Sequence, residues 1–273
     1  MNGRNGATGL PTEATTMQAF QPYAADFATL RGAFRTAAQR AGAESLEYPH
    51  PLHGPNGEAL TTDVALLGRR DSPKWMVLIS GTHGVEGAFG SACQSAWLTQ
   101  DSPRNLPDDT AILMVHLINP WGTAWTRRSN EDNVDLNRNF IDWQNGAPDN
   151  ARYAGLHDAF VCREWEGPDR IKADEELAAA RTSLGQTGLT SIIEAGQYDF
   201  PDGMFYGGDC PVWSNRTLNE ILTSFVGEAR DVIVFDLHTG AGPTAIRRCF
   251  RSPVPTIRAS PGADPFSVRR LPQ

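Results

Sequence analysis

The sequence predicts a three-layer α/β/α sandwich around a mixed, largely parallel sheet. Three short apolar runs, at residues 75–79, 111–118 and 231–237, have the length and composition of buried strands. Segments with helical spacing of apolar residues separate these runs along the chain. Alternation of buried strands with helices is typical of a sheet that is covered by helices on both faces.

The N-terminal part of the chain is predicted to hold an amphipathic helix followed by a β-hairpin. Apolar residues recur at helical spacing within residues 23–42. A short run at residues 45–48 and an alternating run at residues 60–66 predict two strands joined by a loop rich in Pro and Gly. His50 and His53 fall within that loop, so both are predicted to be surface residues.

Farther along, the pattern predicts helices at residues 156–165 and 173–184, and a helix for which Ser214 is the N-cap. His116 lies within an apolar strand and is predicted to be a core or sheet-face histidine. Residues 196–215 are rich in Gly and aromatic side chains and follow no period. This segment is either a structural loop or the wall of a ligand cleft.

Composition narrows the class of protein. The chain has 273 residues, enough for one large domain or two small ones, and it contains no apolar run of 18 residues that would predict a membrane span. The net charge of −8 argues against nucleic acid as a partner. The four cysteines lack CxxC spacing, which favours free thiols in a cytoplasmic protein.

Both ends differ from the rest of the chain. Residues 1–16 are predicted to be a disordered lead, and residues 17–245 a single domain. Residues 246–273 contain six Arg and five Pro but only one acid, Asp264, and their apolar residues follow neither a strand nor a helix period. This tail is expected to lie outside the fold, as a disordered segment, the product of a shifted reading frame, or a basic binding tail.

Two histidines follow the carboxyl ends of predicted strands. His83 and Glu86 lie at the turn after residues 75–79, and a spacing of three places their side chains on one side of a helical turn. His238 follows residues 231–237. Zinc binds His nitrogen and carboxylate oxygen, and catalytic zinc sites use three protein ligands and a water. Taken alone, the first pair is better explained by a turn histidine and a glutamate favoured by the helix dipole.

Three segments in this order resemble the zinc metallocarboxypeptidase family, which has the carboxypeptidase A-like fold. They are HGVE from residue 83, NPWG…RRSNEDNVDLNRNF from residue 119, and DLHTG from residue 236, and DLNRNF is the most specific of them. The resemblance covers roughly residues 24–242 and points to an uncharacterised bacterial branch. It implies a zinc-dependent hydrolase that cleaves an amide bond next to a free carboxylate, in a peptide C-terminus or a small N-acyl amino acid.

The resemblance assigns the metal site residue by residue. His83, Glu86 and His238 match the family's zinc ligands. Asp135 matches an aspartate that accepts a hydrogen bond from the first zinc histidine, which fixes the tautomer of the ring. Asp236 stands two residues before the last ligand, and is either a second carboxylate of this kind or the cap of a neighbouring helix.

The long polar loop supplies the substrate-binding candidates. Asn137 and Arg138 match the pair that holds the terminal carboxylate of the substrate. Arg128 matches the arginine that stabilises the developing oxyanion, and is preferred to Arg127 because it stands seven residues before Asp135. Arg127 is assigned to substrate binding. The alternative for these arginines is a solvated basic loop.

One feature of the resemblance is not matched. The family's general base is a glutamate on a later strand, whereas the 35 residues after His238 contain no Glu. The fold is therefore expected to be carboxypeptidase-like but C-terminally incomplete, with a zinc site that assembles and a turnover reduced by roughly 10²–10⁴-fold. A second interpretation is a zinc-binding pseudoenzyme that binds carboxylate ligands without turnover.

Overall fold

Five strands form one mixed sheet in the computed structural model, which describes residues 26–100, 105–227 and 229–239. The strands are β1 (Glu44–His53), β2 (Ala59–Leu67), β3 (Lys74–Ser80), β4 (Thr110–His116) and β5 (Asp231–Leu237). Their order across the sheet is β1-β2-β4-β3-β5. The pairs β1/β2 and β2/β4 are antiparallel, whereas β4/β3 and β3/β5 are parallel. The lead predicted at residues 1–16 and the tail predicted at residues 246–273 lie outside the described residues.

Eight α-helices accompany the sheet within the described part of the chain. They are α1 (Phe27–Arg40), α2 (Gly87–Leu98), α3 (Pro120–Ala124), α4 (Leu136–Asn139), α5 (Ala151–Ala154), α6 (His157–Phe160), α7 (Pro168–Glu194) and α8 (Trp213–Val226). Short 3₁₀ turns lie at Gly84–Glu86 and Trp143–Asn145. No described helix has both the length and the apolar content needed to cross a membrane.

The two faces of the sheet carry separate cores, because successive residues of a strand point to opposite sides. On one face, Leu66 of β2 and Leu113 of β4 belong to a cluster that includes Ile221 of α8. On the other face, Met114 of β4 packs with Phe34 of α1 and with residues of β2 and α2. Helices therefore cover both faces, and the predicted three-layer sandwich is confirmed.

The predicted hairpin is confirmed, but its histidines are not loop residues. β1 runs through both His50 and His53, and only His53 is exposed. The His50 side chain is buried, lies edge-on to the Trp213 ring with centroids 4.6 Å apart, and places Nε2 3.3 Å from a carboxylate oxygen of Glu131. The surface-loop prediction was therefore wrong for His50, because the strand continues past Pro49.

Two helix predictions need correction. Ser214 is not an N-cap: Val212 precedes α8, and Ser214 is buried within its first turn. The region predicted as a helix at 156–165 contains only the short α6, whereas residues 173–184 belong to the longer α7. α7 is interrupted at Gly185, where φ is +70°. Glycine adopts this left-handed conformation at little cost, so the chain changes direction there.

β5 forms as predicted but is not buried. It pairs with β3 and lies at an edge of the described sheet. Ile233 and Phe235 are 42% and 37% exposed, whereas Val232 and Val234 pack partly against the α8 side. The apolar run correctly predicted a strand, but it carried no information about which face the other elements cover. His116 is fully buried, as predicted.

Candidate metal centre

The turn between β3 and α2 is held close to α3 by a glycine. His83 has an extended backbone and precedes the 3₁₀ turn Gly84–Glu86. A Cβ atom on Gly84 would overlap the backbone of Gly122 in α3. The Gly84 N–H also donates to the Arg128 carbonyl at 3.3 Å. The absence of a side chain at residue 84 thus lets the turn pack directly on α3 and fixes the direction of the side chains on either side.

His83, Glu86 and His238 come together at one edge of the sheet. β5 runs parallel to β3, with Ser80 opposite Leu237, so the residues that follow the two strands are neighbours. The Nδ1 atom of His83 is 3.1 Å from one oxygen of Glu86, and the Nδ1 atom of His238 is 3.1 Å from the other. The three ligand atoms all lie within 4.8 Å of one another.

The second nitrogen of each ring contacts another carboxylate. Nε2 of His83 is 3.1 Å from an Asp135 oxygen, and Nε2 of His238 is 2.6 Å from an Asp236 oxygen. Asp236 also accepts a hydrogen bond from the Thr82 hydroxyl at 2.8 Å. Of the two alternatives left open for Asp236, contact with the histidine is the one observed. When Nε2 donates to a carboxylate, the Nδ1 lone pair of each ring is left facing Glu86.

The electrostatics of the cluster follow from these contacts. Burial alone would raise the pKa of Glu86, but hydrogen bonds from His238, His83 and the Thr239 N–H outweigh it and hold this pKa well below its usual range. Hydrogen bonds to Asp236 and Glu86 raise the pKa of His238 to about 10. Glu86 thus carries a negative charge opposite two ring nitrogens. A divalent cation would bind the same three groups in place of protons.

The donor set fits zinc. Two imidazole nitrogens and one carboxylate oxygen are typical protein ligands of a catalytic zinc ion, which keeps a further position for water. A carboxylate on the second nitrogen of each histidine is the usual arrangement around such ligands.

Arg128 lies beside this cluster. Its Nε donates to Asp135 at 3.0 Å, and one terminal nitrogen is 4.0 Å from Glu86. The side chain is 43% exposed, and its guanidinium carbon lies 4.7 Å from the centre of the Phe205 ring. Arg127 is also exposed.

α4 carries the other two candidates. Asp135 caps this helix by accepting from the Asn137 N–H at 3.0 Å, and the Asn137 residue itself is exposed. Arg138 donates to its neighbour's carbonyl at 3.1 Å and to the Glu194 carbonyl, and lies 5.5 Å from the Phe205 ring centre. Each terminal nitrogen thereby uses one N–H and keeps one for a ligand, whereas Nε is buried with no hydrogen-bond partner among the described residues.

Asn139, which anchors α4, was not identified from the sequence. The fully buried side-chain amide of Asn139 donates to the carbonyls of Gly207 and Cys210 at 2.8 and 2.9 Å and accepts from the Val212 N–H at 3.1 Å. The Gly- and aromatic-rich segment is therefore tied to the helix that carries Arg138. A second asparagine directly after the Asn-Arg pair was the one local signal that could have revealed it.

Comparisons with known proteins give a family and several distant structural likenesses. Thrombin activatable fibrinolysis inhibitor is 13% identical, with a TM-score of 0.40 over 81% of this chain and 52% of that protein. A Bacteroides vulgatus protein assigned as a zinc-dependent exopeptidase is 18% identical, with a TM-score of 0.29 over 40% and 46%. Porphyromonas gingivalis glutaminyl cyclase is 17% identical, with a TM-score of 0.28 over 40% and 44%.

The chain thus spans about half the length of these three proteins, or less. No curated protein matches the sequence. The function proposed below therefore rests on this chain's own residues. The family model that matches is described as "Protein of unknown function (DUF2817)" and covers residues 23–256, so the chain belongs to that family.

Proposed function

We propose that this protein is a zinc-dependent hydrolase that cleaves an amide bond next to a free carboxylate. The observation that carries the proposal is the convergence of His83, Glu86 and His238, with their ligand atoms within 4.8 Å of one another. Arg128 extends from this cluster towards Phe205, and Arg138 approaches the same ring. A metal-binding group and two cations on one surface suit an anionic substrate with a polarised carbonyl.

The two histidines and Glu86 would hold the zinc ion, with Asp135 and Asp236 fixing the ring orientations. When bound, zinc would supply Lewis-acid polarisation of the carbonyl and lower the pKa of a bound water. The rigidity of the strand ends matters here, because ligands that are already oriented lose little entropy on binding the ion.

Substrate recognition is assigned to α4 and the loop before it. Arg138 retains one N–H donor on each terminal nitrogen, which is enough for a two-point contact with a carboxylate, and the exposed Asn137 amide adds another donor. Arg128 reaches from Asp135 to within 4.0 Å of Glu86, so its charge lies beside the proposed metal position. A fixed cation there would stabilise negative charge on the carbonyl oxygen. Peptides with a free C-terminus and small N-acyl amino acids both have the required amide bond and carboxylate.

The first test is metal stoichiometry. After loading with one equivalent of zinc and desalting, elemental analysis should find about one zinc per wild-type chain, and a large loss in His238→Ala and Glu86→Gln. His53→Ala is the matched control, since this exposed histidine belongs to β1 and not to the cluster. Retention of zinc by both site variants would contradict the proposed metal site.

The second test is the reaction. Zinc-loaded protein should hydrolyse peptides with a free C-terminus or N-acyl amino acids, and Arg138→Ala should raise KM for them more than Arg127→Ala does. The same compounds with a C-terminal carboxamide should be poor substrates. Equal cleavage of the carboxamides would refute carboxylate recognition. Tight binding without any product would identify a carboxylate-binding protein instead of a hydrolase.

A further inference from the structure

Phe205 has an unfavourable backbone conformation beside the candidate site. Its φ is +52°, in the left-handed region that side chains with a Cβ rarely adopt. Such strain persists only where the surrounding structure enforces it, and it is concentrated at functional sites. Thr126 and Asn133, in the loop that carries Arg128, also have positive φ values of 54° and 62°. Three of the four positive-φ residues other than glycine in the described chain thus flank the site.

Hydrogen bonds on both sides hold the Phe205 backbone in place. Its carbonyl accepts from the Gln197 N–H at 3.2 Å, and the next carbonyl, of Tyr206, accepts from the Asp135 N–H at 2.7 Å. The side chain of Asn133 donates to the Gly203 carbonyl at 3.0 Å. The residue next to Phe205 is therefore bonded directly to Asp135, the residue whose carboxylate contacts His83.

The Phe205 ring lies against both candidate arginines. The guanidinium carbon of Arg128 is 4.7 Å from the ring centre, and that of Arg138 is 5.5 Å away. Both distances fall within the range of a cation–π interaction. The contact with the ring leaves guanidinium N–H groups free to bind other acceptors, unlike a salt bridge to a carboxylate.

We propose that Phe205 is a positioning residue, which holds Arg128 and Arg138 at a fixed separation so that one anionic substrate contacts both. This inference rests on the proposed function. It differs from a purely structural role, because Phe205 is only partly buried and its backbone would be relaxed by glycine. A residue kept for stability alone would not be expected in this conformation.

Three variants separate positioning from stability. Phe205→Leu keeps apolar volume but removes the π face, Phe205→Tyr keeps the face, and Phe205→Gly removes both the ring and the backbone strain. The zinc content of all three should equal that of the wild type, since no hydrogen bond or ring contact among the described residues joins Phe205 to His83, Glu86 or His238. The thermal midpoint of Phe205→Gly should be close to the wild-type value.

Two measurements are made on the zinc-loaded variants. The first is calorimetric binding of N-acetylphenylalanine, with its carboxamide as the control compound. Loss of the ring should weaken binding of the acid by roughly 2- to 30-fold, with Phe205→Tyr retaining wild-type affinity. The second is the side-chain NMR spectrum of arginine, in which the ring-current shifts of Arg128 and Arg138 should vanish in Phe205→Leu and persist in Phe205→Tyr.

Three results would overturn the role proposed for Phe205. Arginine signals unchanged in Phe205→Leu would overturn the proposal, as would altered signals with unchanged affinity for the acid. Equal weakening in Phe205→Leu and Phe205→Tyr would also overturn it. Failure of the wild type to bind the acid would contradict the proposed function, whereas the arginine signals would still show whether Phe205 restrains the two guanidinium groups.

Discussion

Asp135 and Asp236 contact the two histidines of the proposed metal site in similar ways, but their replacement by asparagine should have unequal effects. Asp135 receives hydrogen bonds from His83 and from Arg128, at 3.1 and 3.0 Å. An asparagine has one acceptor oxygen, and its NH₂ group would face a guanidinium that cannot accept a hydrogen bond. In Asp135→Asn, the side chain must therefore either lose its hydrogen bond with His83 or Arg128, or place its NH₂ group against the N–H of one of them.

Asp236 has a more adaptable neighbour. Its oxygens accept from the Nε2 atom of His238 and from the Thr82 hydroxyl. A hydroxyl is both donor and acceptor, so in Asp236→Asn the amide NH₂ can donate to Thr82 while the amide oxygen still accepts from the ring. The Asp236 side chain is also 31% exposed, against 2% for Asp135, so water can replace a weakened contact.

Loss of such a partner typically costs roughly 10- to 100-fold in metal affinity. We expect Asp135→Asn to lie near the upper limit, or about 2.7 kcal/mol, and Asp236→Asn near the lower limit, or about 1.4 kcal/mol. Competition for zinc against a chromogenic chelator measures both, with the exposed Asp109→Asn as the control. An equal or larger loss in Asp236→Asn would refute the reasoning from hydrogen-bond partners, and no loss in either variant would contradict the role assigned to both carboxylates.

Three further predictions use single substitutions. Gly84→Ala should lower zinc affinity, because the new Cβ would overlap the backbone of α3, whereas Gly32→Ala, with no atom within 4 Å, should not. Gly196→Ala should raise KM for carboxylate substrates, because the new Cβ would lie 2.5 Å from the side-chain Cδ of Arg138. Gly146 has a similar positive φ but no atom within 4 Å of an added Cβ, so Gly146→Ala is the control for backbone strain. Burial lowers the pKa of His116 from 6.5 to about 3. Below pH 6.5 this side chain therefore binds a proton in the unfolded chain but not in the folded protein. The contribution of His116 to the free energy of unfolding should be fully present above pH 6.5 and should fall by about 1.4 kcal/mol per pH unit towards pH 3. Urea unfolding at pH 7 and pH 5 should therefore show a smaller decrease in stability for His116→Gln than for the wild type.

Local pattern placed each of the two histidines after a strand, but it did not show that the two strands are neighbours. The apolar runs before His83 and His238 each predict a strand, and parallel neighbours end at the same edge of a sheet. The structure places Ser80 opposite Leu237, which makes the two histidines neighbours. Nothing in the sequence states that β3 and β5 pair, so this step depended on the resemblance to zinc carboxypeptidases.

Prolines account for the error at His50. Pro49 and Pro51 flank it and, with the glycines that follow, they gave the segment the composition of a loop. β1 pairs with β2 and is an edge strand of the described sheet. An edge strand tolerates proline, since the N–H groups on its free side need no partner in the sheet. Composition alone cannot distinguish an edge strand from a loop.

Asn139 illustrates the limit for the rest of the site. Its side-chain partners lie at residues 207–212, about 70 positions later, and are backbone groups. A contact between one amide side chain and distant carbonyls leaves no periodicity and requires no particular residue type at the other end. Arg138 directly precedes Asn139, so the proposed substrate-binding side depends on long-range structure that no local motif records.

The two halves of the site are therefore positioned by different physics. His83 and His238 follow paired strands whose register fixes them, and a one-residue slip of β5 would turn its core side chains to the opposite face. Arg128 lies in a loop and Arg138 in the short helix α4, and both are held by side-chain hydrogen bonds and by contact with the strained Phe205. Changes at Arg138 or Phe205 should weaken the proposed carboxylate binding and leave zinc binding intact, because they alter neither the strand register nor the contact of Asp135 with His83. We therefore expect substitutions on the proposed substrate-binding side to change ligand preference while the proposed metal site stays assembled.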